Sequence, residues 1–226
     1  MPRPAETICD IRSPNFGPRR DGLVPSIVVI HYTAMESVSA ACARLCDPEA
    51  EVSSHYLISR LGETTRLVAE ADRAWHAGVG EWRGFADINS RSIGIELDNT
   101  GATPFPEPQM AALETLLRDI LLRWSIVPQN VIGHSDMAPG RKSDPGPKFD
   151  WARLARQGLA ERGGRDPGPR DLSFDHFRKV ARAAGYTADV DDETLLAAVR
   201  LRFRPQAQGP LTAEDFTPLG HAALWT

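Results

Sequence analysis

The stretch GHSDMAPGRKSDPGP (133–147) packs His134, Asp136, Lys142 and Asp144 onto a backbone broken by three prolines and three glycines. Such a backbone rules out a regular helix or a central strand, and loops held by a rigid scaffold are where reactive side chains collect. A catalytic zinc ion takes three protein ligands and keeps one position open. His31 closes the apolar run PSIVVIHYTA, His134 closes NVIGH, and Asp144 follows His134 after nine intervening residues. Two strand ends can set imidazoles side by side, and a Pro/Gly-constrained loop can return a carboxylate to meet them. Taken singly, each residue has a plainer reading: a strand-end histidine that is simply satisfied, an Asp before Pro that makes a turn.

The elements that must position these groups follow from the breakers. PSIVVIHYTA (25–34) reads as a buried central strand. SHYLISR (54–60) and TRLVAE (65–70) flank a hairpin turn at 61–64, and SIGIELDN (92–99) and NVIGH (130–134) are further strands. VSAACARLC (38–46) has helical spacing. PEPQMAALETLLRDILLRWS places Met110, Leu113, Leu117, Ile120, Leu121 and Trp124 on one helical face with Pro at its start, and FDWARLARQGLA (149–160) is a second amphipathic helix. ERGGRDPGPRD (161–171) reads as a linker, beyond which come three helical segments. The expected fold is therefore α/β: a mixed central sheet flanked by helices in residues 1–162, plus a small helical module in residues 163–226.

Composition narrows the function. The 226 residues are 42% apolar and 25% charged with a net charge of -4, as in a globular protein with a real core and no electrostatic case for nucleic acid or anionic membrane. Three cysteines, Cys9, Cys42 and Cys46, lack the spacing of a disulfide framework and read as buried thiols in a reducing compartment. No segment has the length of apolar sequence that spans a bilayer, and the N-terminal residues lack the apolar core of a secretory signal. The expectation is a cytoplasmic protein, or a periplasmic one if a leader precedes this sequence.

VVIHYTA, SSHYLI, RAWHAG, SIGIELDN and GHSDMAPGRKSDPGP occur in that order, after an early SPNFGPRR. Together they resemble the zinc-dependent N-acetylmuramoyl-L-alanine amidases of the AmpD/AmiD type, related in fold to the peptidoglycan recognition proteins. The resemblance covers roughly residues 13–160 and is most specific in the last motif; the C-terminal module is more weakly similar to small helical peptidoglycan-binding domains. It implies His31, His134 and Asp144 as ligands to one zinc per chain. The implied substrate is the amide between the lactyl group of N-acetylmuramic acid and the L-alanine of the stem peptide. Zinc would bring the pKa of a bound water to about 7.

Glu96 in GIELDN is then the candidate to position and deprotonate that water, a buried structural salt bridge being the alternative. Lys142 would stabilise the developing oxyanion. His76 and His55 would line the cleft on the substrate, Trp75 and Tyr32 would support it, and Arg73 or Arg91 would meet a peptide carboxylate. His176 and His221 read as surface residues. Three functions remain to be weighed: an amidase on soluble anhydro-muropeptides in wall recycling, an amidase on intact wall, and a non-catalytic peptidoglycan-binding protein. A zinc peptidase would carry a signature such as HExxH, which is absent. The expected partner is a muropeptide, with no nucleic acid or membrane, and the expected state is a monomer.

Overall fold

The computed structural model describes residues 9–10, 12–165 and 168–220. The strands are β1 (Cys9–Asp10), β2 (Phe16–Pro18), β3 (Ile27–Tyr32), β4 (Tyr56–Ile58), β5 (Thr64–Arg66), β6 (Asp72–Ala74), β7 (Ser92–Leu97) and β8 (Val131–Gly133). The helices are α1 (Val38–Cys46), α2 (Ile88–Arg91), α3 (Glu107–Trp124), α4 (His134–Met137), α5 (Trp151–Arg156), α6 (Phe174–Ala184), α7 (Asp192–Phe203) and α8 (Ala213–Phe216). The main sheet has the order β1-β5-β4-β7-β3-β8, and β2 pairs with β6 in a separate antiparallel ribbon. Within the main sheet β4 and β5 are antiparallel and the other neighbours parallel. This is the mixed sheet flanked by helices that the sequence predicts.

The central strands show why the site lies where it does. β3 reads IVVIHY, β-branched and apolar almost throughout, as a strand covered on both faces must. Val28 and Ile30 join Ile93, Ile95 and Leu97 of β7 against Met110, Leu113, Leu117 and Ile120 of α3. Ile27 and Val29 face the other way, with Ile132 of β8, onto Phe177, Leu195, Val199 and Phe216 of the C-terminal helices. Strand alternation carries His31 onto this second face, and the parallel register sets Glu96 beside it. The second face thus turns from apolar to ionisable at the carboxyl ends of parallel strands, where ligands bind in open α/β sheets.

The helices beyond residue 163 are a unit in sequence, and in space they close that second face. Ser173 caps α6 by accepting from the His176 N–H, and Asp191 caps α7 by accepting from the Thr194 N–H. The Gly/Pro-rich connection is itself anchored, the Gly164 N–H donating to the Pro218 carbonyl at 3.0 Å. Cys42 and Cys46 are free thiols packed beside Ala41, Leu45, Leu57 and Leu67, as small hydrophobes. Burial, with Cys42 beside it, pushes the Cys46 thiol up to about 11. The Cys9 side chain and His221 lie outside the described residues, and His176 is partly exposed on α6. No described helix is long and apolar enough to cross a membrane.

Two local expectations need correction. The β4–β5 register pairs Ile58 with Thr64, so the hairpin turns over residues 59–63, earlier than 61–64. The loop after β8 is also not wholly irregular: its first four residues form the single helical turn α4. That turn fits before the first proline at 139, and the Asp136 carboxylate accepts the Gly133 N–H at 2.7 Å to cap it.

Candidate metal centre

His31, His134 and Asp144 converge, all buried, with their ligand atoms within 4.8 Å of one another. Asp144 Oδ2 lies 2.8 Å from His31 Nδ1 and 3.1 Å from His134 Nδ1. The surrounding acceptors match one tautomer of each imidazole. His134 Nε2 is 2.8 Å from the Ala77 carbonyl, which can only accept, so Nε2 carries the proton and Nδ1 a lone pair. The Ser92 hydroxyl donates to the Ile88 carbonyl at 2.6 Å and therefore accepts from His76 Nε2 at 3.1 Å. That leaves His76 Nδ1 to accept from His31 Nε2 at 3.0 Å, and His31 Nδ1 too is a bare lone pair.

Two imidazole lone pairs thus face one carboxylate oxygen. Burial, then the neighbouring His134, lowers His31 to about 4. A cation between the three ligand atoms satisfies all of them at once. Two nitrogens and one oxygen suit a borderline ion such as zinc, and the residues present fit it.

Two glycines make this geometry possible. A Cβ at Gly94 would lie 2.5 Å from His76 Cγ, so only glycine on β7 lets that ring reach both Ser92 and His31. A Cβ at Gly133 would lie 2.8 Å from Pro145 Cδ, blocking the return of the loop that carries Asp144. The Ser135 N–H also donates to the Asp144 carbonyl at 3.0 Å, tying that loop to α4. His76 stands behind His31 on the cavity wall, where it can orient that ring. Replacing His76 with Phe, which fills the space but accepts no proton, is expected to weaken zinc binding roughly 10- to 100-fold, the range typical of outer partners of metal ligands. Competition with a chelator measures it, and unchanged affinity would remove this role.

Glu96 and Lys142 line the same cavity of about 350 Å³, together with Arg44, Trp75 and Tyr32. Among the described residues, the buried Glu96 Oε2 has no hydrogen-bond partner, which argues against the structural salt bridge. Burial, and then the charge of Asp144, raises its pKa to about 8, while Lys142 opposes the shift. Arg141, which no sequence motif singles out, donates to the Ala77 carbonyl at 2.7 Å, the acceptor beside His134 Nε2. The Tyr32 ring packs under the loop beside Gly101 and Gly146, as support.

Other sequence expectations fall elsewhere. His55 is fully buried and is not on the cleft wall. Its Nδ1 accepts from the Gly94 N–H at 2.9 Å, and its Nε2 lies 3.2 Å from the Asp72 carbonyl. Arg73 pairs with Asp87, and Arg91 stacks over Phe85 at 4.5 Å, so neither faces the cavity. The SPN-x-x-x-R segment proves structural. Asn15 donates to the carbonyls of Asp47 and Val52, and Arg19 to those of Glu70, Ser90 and Ser92.

With this geometry in hand, known proteins can be compared. The family model described as N-acetylmuramoyl-L-alanine amidase matches residues 21–147. The amidase AmiD of Escherichia coli is 43% identical over 149 residues, which are 59% of this chain and 53%, about half, of that protein. The 1,6-anhydro-N-acetylmuramyl-L-alanine amidase AmpD of Escherichia coli is 35% identical over 161 residues, 64% of this chain and 88% of that one. Among solved structures, AmiD from E. coli in complex with anhydro-N-acetylmuramic acid-L-Ala-D-gamma-Glu-L-Lys superposes with a TM-score of 0.78 at 34% identity, covering 90% of this chain and 88% of the other.

Proposed function

The chain belongs to the N-acetylmuramoyl-L-alanine amidase family, and from that premise we propose that it is a zinc hydrolase of anhydro-muropeptides. The bond cleaved is the amide between the lactyl group of the sugar and the L-alanine of the stem peptide. The observation that carries this reading is the convergence of two imidazole lone pairs and a carboxylate beside an unpartnered glutamate. A zinc ion held by His31, His134 and Asp144 would act as a Lewis acid toward the scissile carbonyl and make a water acidic enough to attack at neutral pH.

The remaining work falls to this chain's own groups. Glu96, whose Oε2 has no partner among the described residues, takes a proton from the attacking water and returns it to the departing amine. Lys142, on the wall beside it, stabilises negative charge developing on the carbonyl oxygen. Arg44, on the cavity wall, offers a cation to the carboxylates of the stem peptide. Every one of these groups comes from a single chain, so a monomer suffices. Anhydro-muropeptides are favoured as the substrate because the AmiD complex holds one and AmpD is named for one.

Lys142→Met keeps most of the stem and removes the charge. It is expected to lower kcat roughly 10²- to 10³-fold, the cost of losing an oxyanion partner, with zinc content intact and KM changed less. Steady-state kinetics beside elemental analysis checks this. The proposed function as a whole is tested by digesting purified anhydro-muropeptides and whole sacculi in parallel. Faster turnover of the soluble fragments is expected, and cleavage of sacculi alone would move the protein to intact wall.

A further inference from the structure

α4 is one helical turn, too short to hold its own direction, yet His134 is its first residue. The carboxylate that caps it receives two more bonds from the C-terminal helices. Tyr186, just past α6, donates its hydroxyl to Asp136 Oδ1 at 2.8 Å, and Arg202 on α7 donates Nη1 to Oδ2 at 2.7 Å. The second arm of the same guanidinium donates Nη2 to the Val131 carbonyl on β8 at 3.0 Å, and its Cζ lies 4.0 Å from the Trp151 ring centroid. Asp136, Tyr186 and Arg202 are 0%, 2% and 6% exposed, so all three groups meet out of bulk solvent.

We propose that Arg202 and Tyr186 are positioning residues for the metal centre, acting through Asp136 on the turn that aims His134. The C-terminal helices are thereby a working part of the catalytic unit. This rests on the proposed function, because it concerns a zinc ligand. The coupling has two routes: Asp136 holds the Gly133 N–H directly before His134, and the Ser135 N–H holds the Asp144 carbonyl. A turn released by loss of either donor displaces two of the three ligands together. Lysine cannot substitute for Arg202, since an ammonium lacks the planar fork that reaches the carboxylate and the β8 carbonyl at once.

The module contains its own matched control. Arg200, also buried, holds Asp215 through Nε at 2.9 Å and Nη2 at 2.7 Å, and its other hydrogen bonds go to the Gly209 and Pro210 carbonyls of the same C-terminal part. The experiment uses the full chain and measures zinc affinity by chelator competition, the melting temperature of the metal-free form, and kcat and KM at saturating zinc. Arg202→Lys and Tyr186→Phe are expected to weaken zinc binding roughly 10- to 100-fold and to lower kcat with KM little changed. Arg200→Lys is expected to lower the melting temperature while leaving zinc affinity as it was. Should Arg202→Lys not fold, Tyr186→Phe, which loses one hydroxyl and keeps its ring against Trp82, decides alone. Variants that destabilise the chain as Arg200→Lys does but bind zinc like the unaltered protein would overturn the clamp by itself. An unaltered protein with no affinity for zinc would overturn the proposed function, and the clamp with it.

Discussion

Asp144→Ala is expected to lose zinc and turnover together, with activity falling to background. The carboxylate is the shared partner of both histidines, at 2.8 and 3.1 Å, and the only negative charge among the three ligands. The rings cannot turn to compensate. His31 Nε2 is committed to His76 and His134 Nε2 to the Ala77 carbonyl, so their lone pairs stay aimed at a position that has lost its third donor. Chelation of the unaltered protein should reproduce the effect and also lower its thermal stability. A ligand present at a thousand times its Kd stabilises the folded state by about 4 kcal/mol. For a chain of this size that corresponds to a fall of roughly 8 to 16 °C in Tm. An active Asp144→Ala enzyme, or a Tm indifferent to chelator, would show that the three residues meet for another reason.

The second large effect is expected from Glu96→Gln. Glutamine keeps the shape and reach of the side chain but cannot accept a proton, so kcat should fall roughly 10²- to 10⁴-fold. Zinc content should not change, because Glu96 is not one of the converging ligands. Stability should stay near that of the unaltered chain. Burial already raises the Glu96 pKa to about 8 in the metal-free protein, so a neutral amide resembles the form that predominates there at pH 7. Full turnover in Glu96→Gln, or loss of its zinc, would assign that carboxylate a different role.

How far the sequence alone reached depended on whether a residue's meaning was local. β3 could be read because a short β-branched run has one physical interpretation, and alternation then fixes which face His31 takes. Glu96 could be read because a carboxylate ending an apolar strand is costly without a task. The convergence of Asp144 on two distant strand ends came through family resemblance, since no local pattern contains it. His55 shows the opposite case: a histidine beside a strand looks the same whether it faces a cleft or holds backbone groups in the core. Arg202 is harder still. In DETLLAAVRLRF a basic residue reads as the solvated side of a helix, and only its partner, 66 residues earlier in the chain, shows that it is buried. The Gly/Pro-rich connection marked a change of composition but carried no information about the face of the sheet that the following helices cover.

The most direct measurement is mass analysis of the products formed from a purified anhydro-muropeptide in water enriched in ¹⁸O. Hydrolysis at the lactyl amide places one ¹⁸O in the carboxylate left on the sugar and releases an unlabelled stem peptide with a free L-alanine amine. That outcome, abolished by chelator and restored by zinc, is the one expected. Label in a carboxylate within the peptide would mean that a different bond is cut, and an intact substrate in the presence of zinc would mean that the centre built from His31, His134 and Asp144 does not perform this reaction.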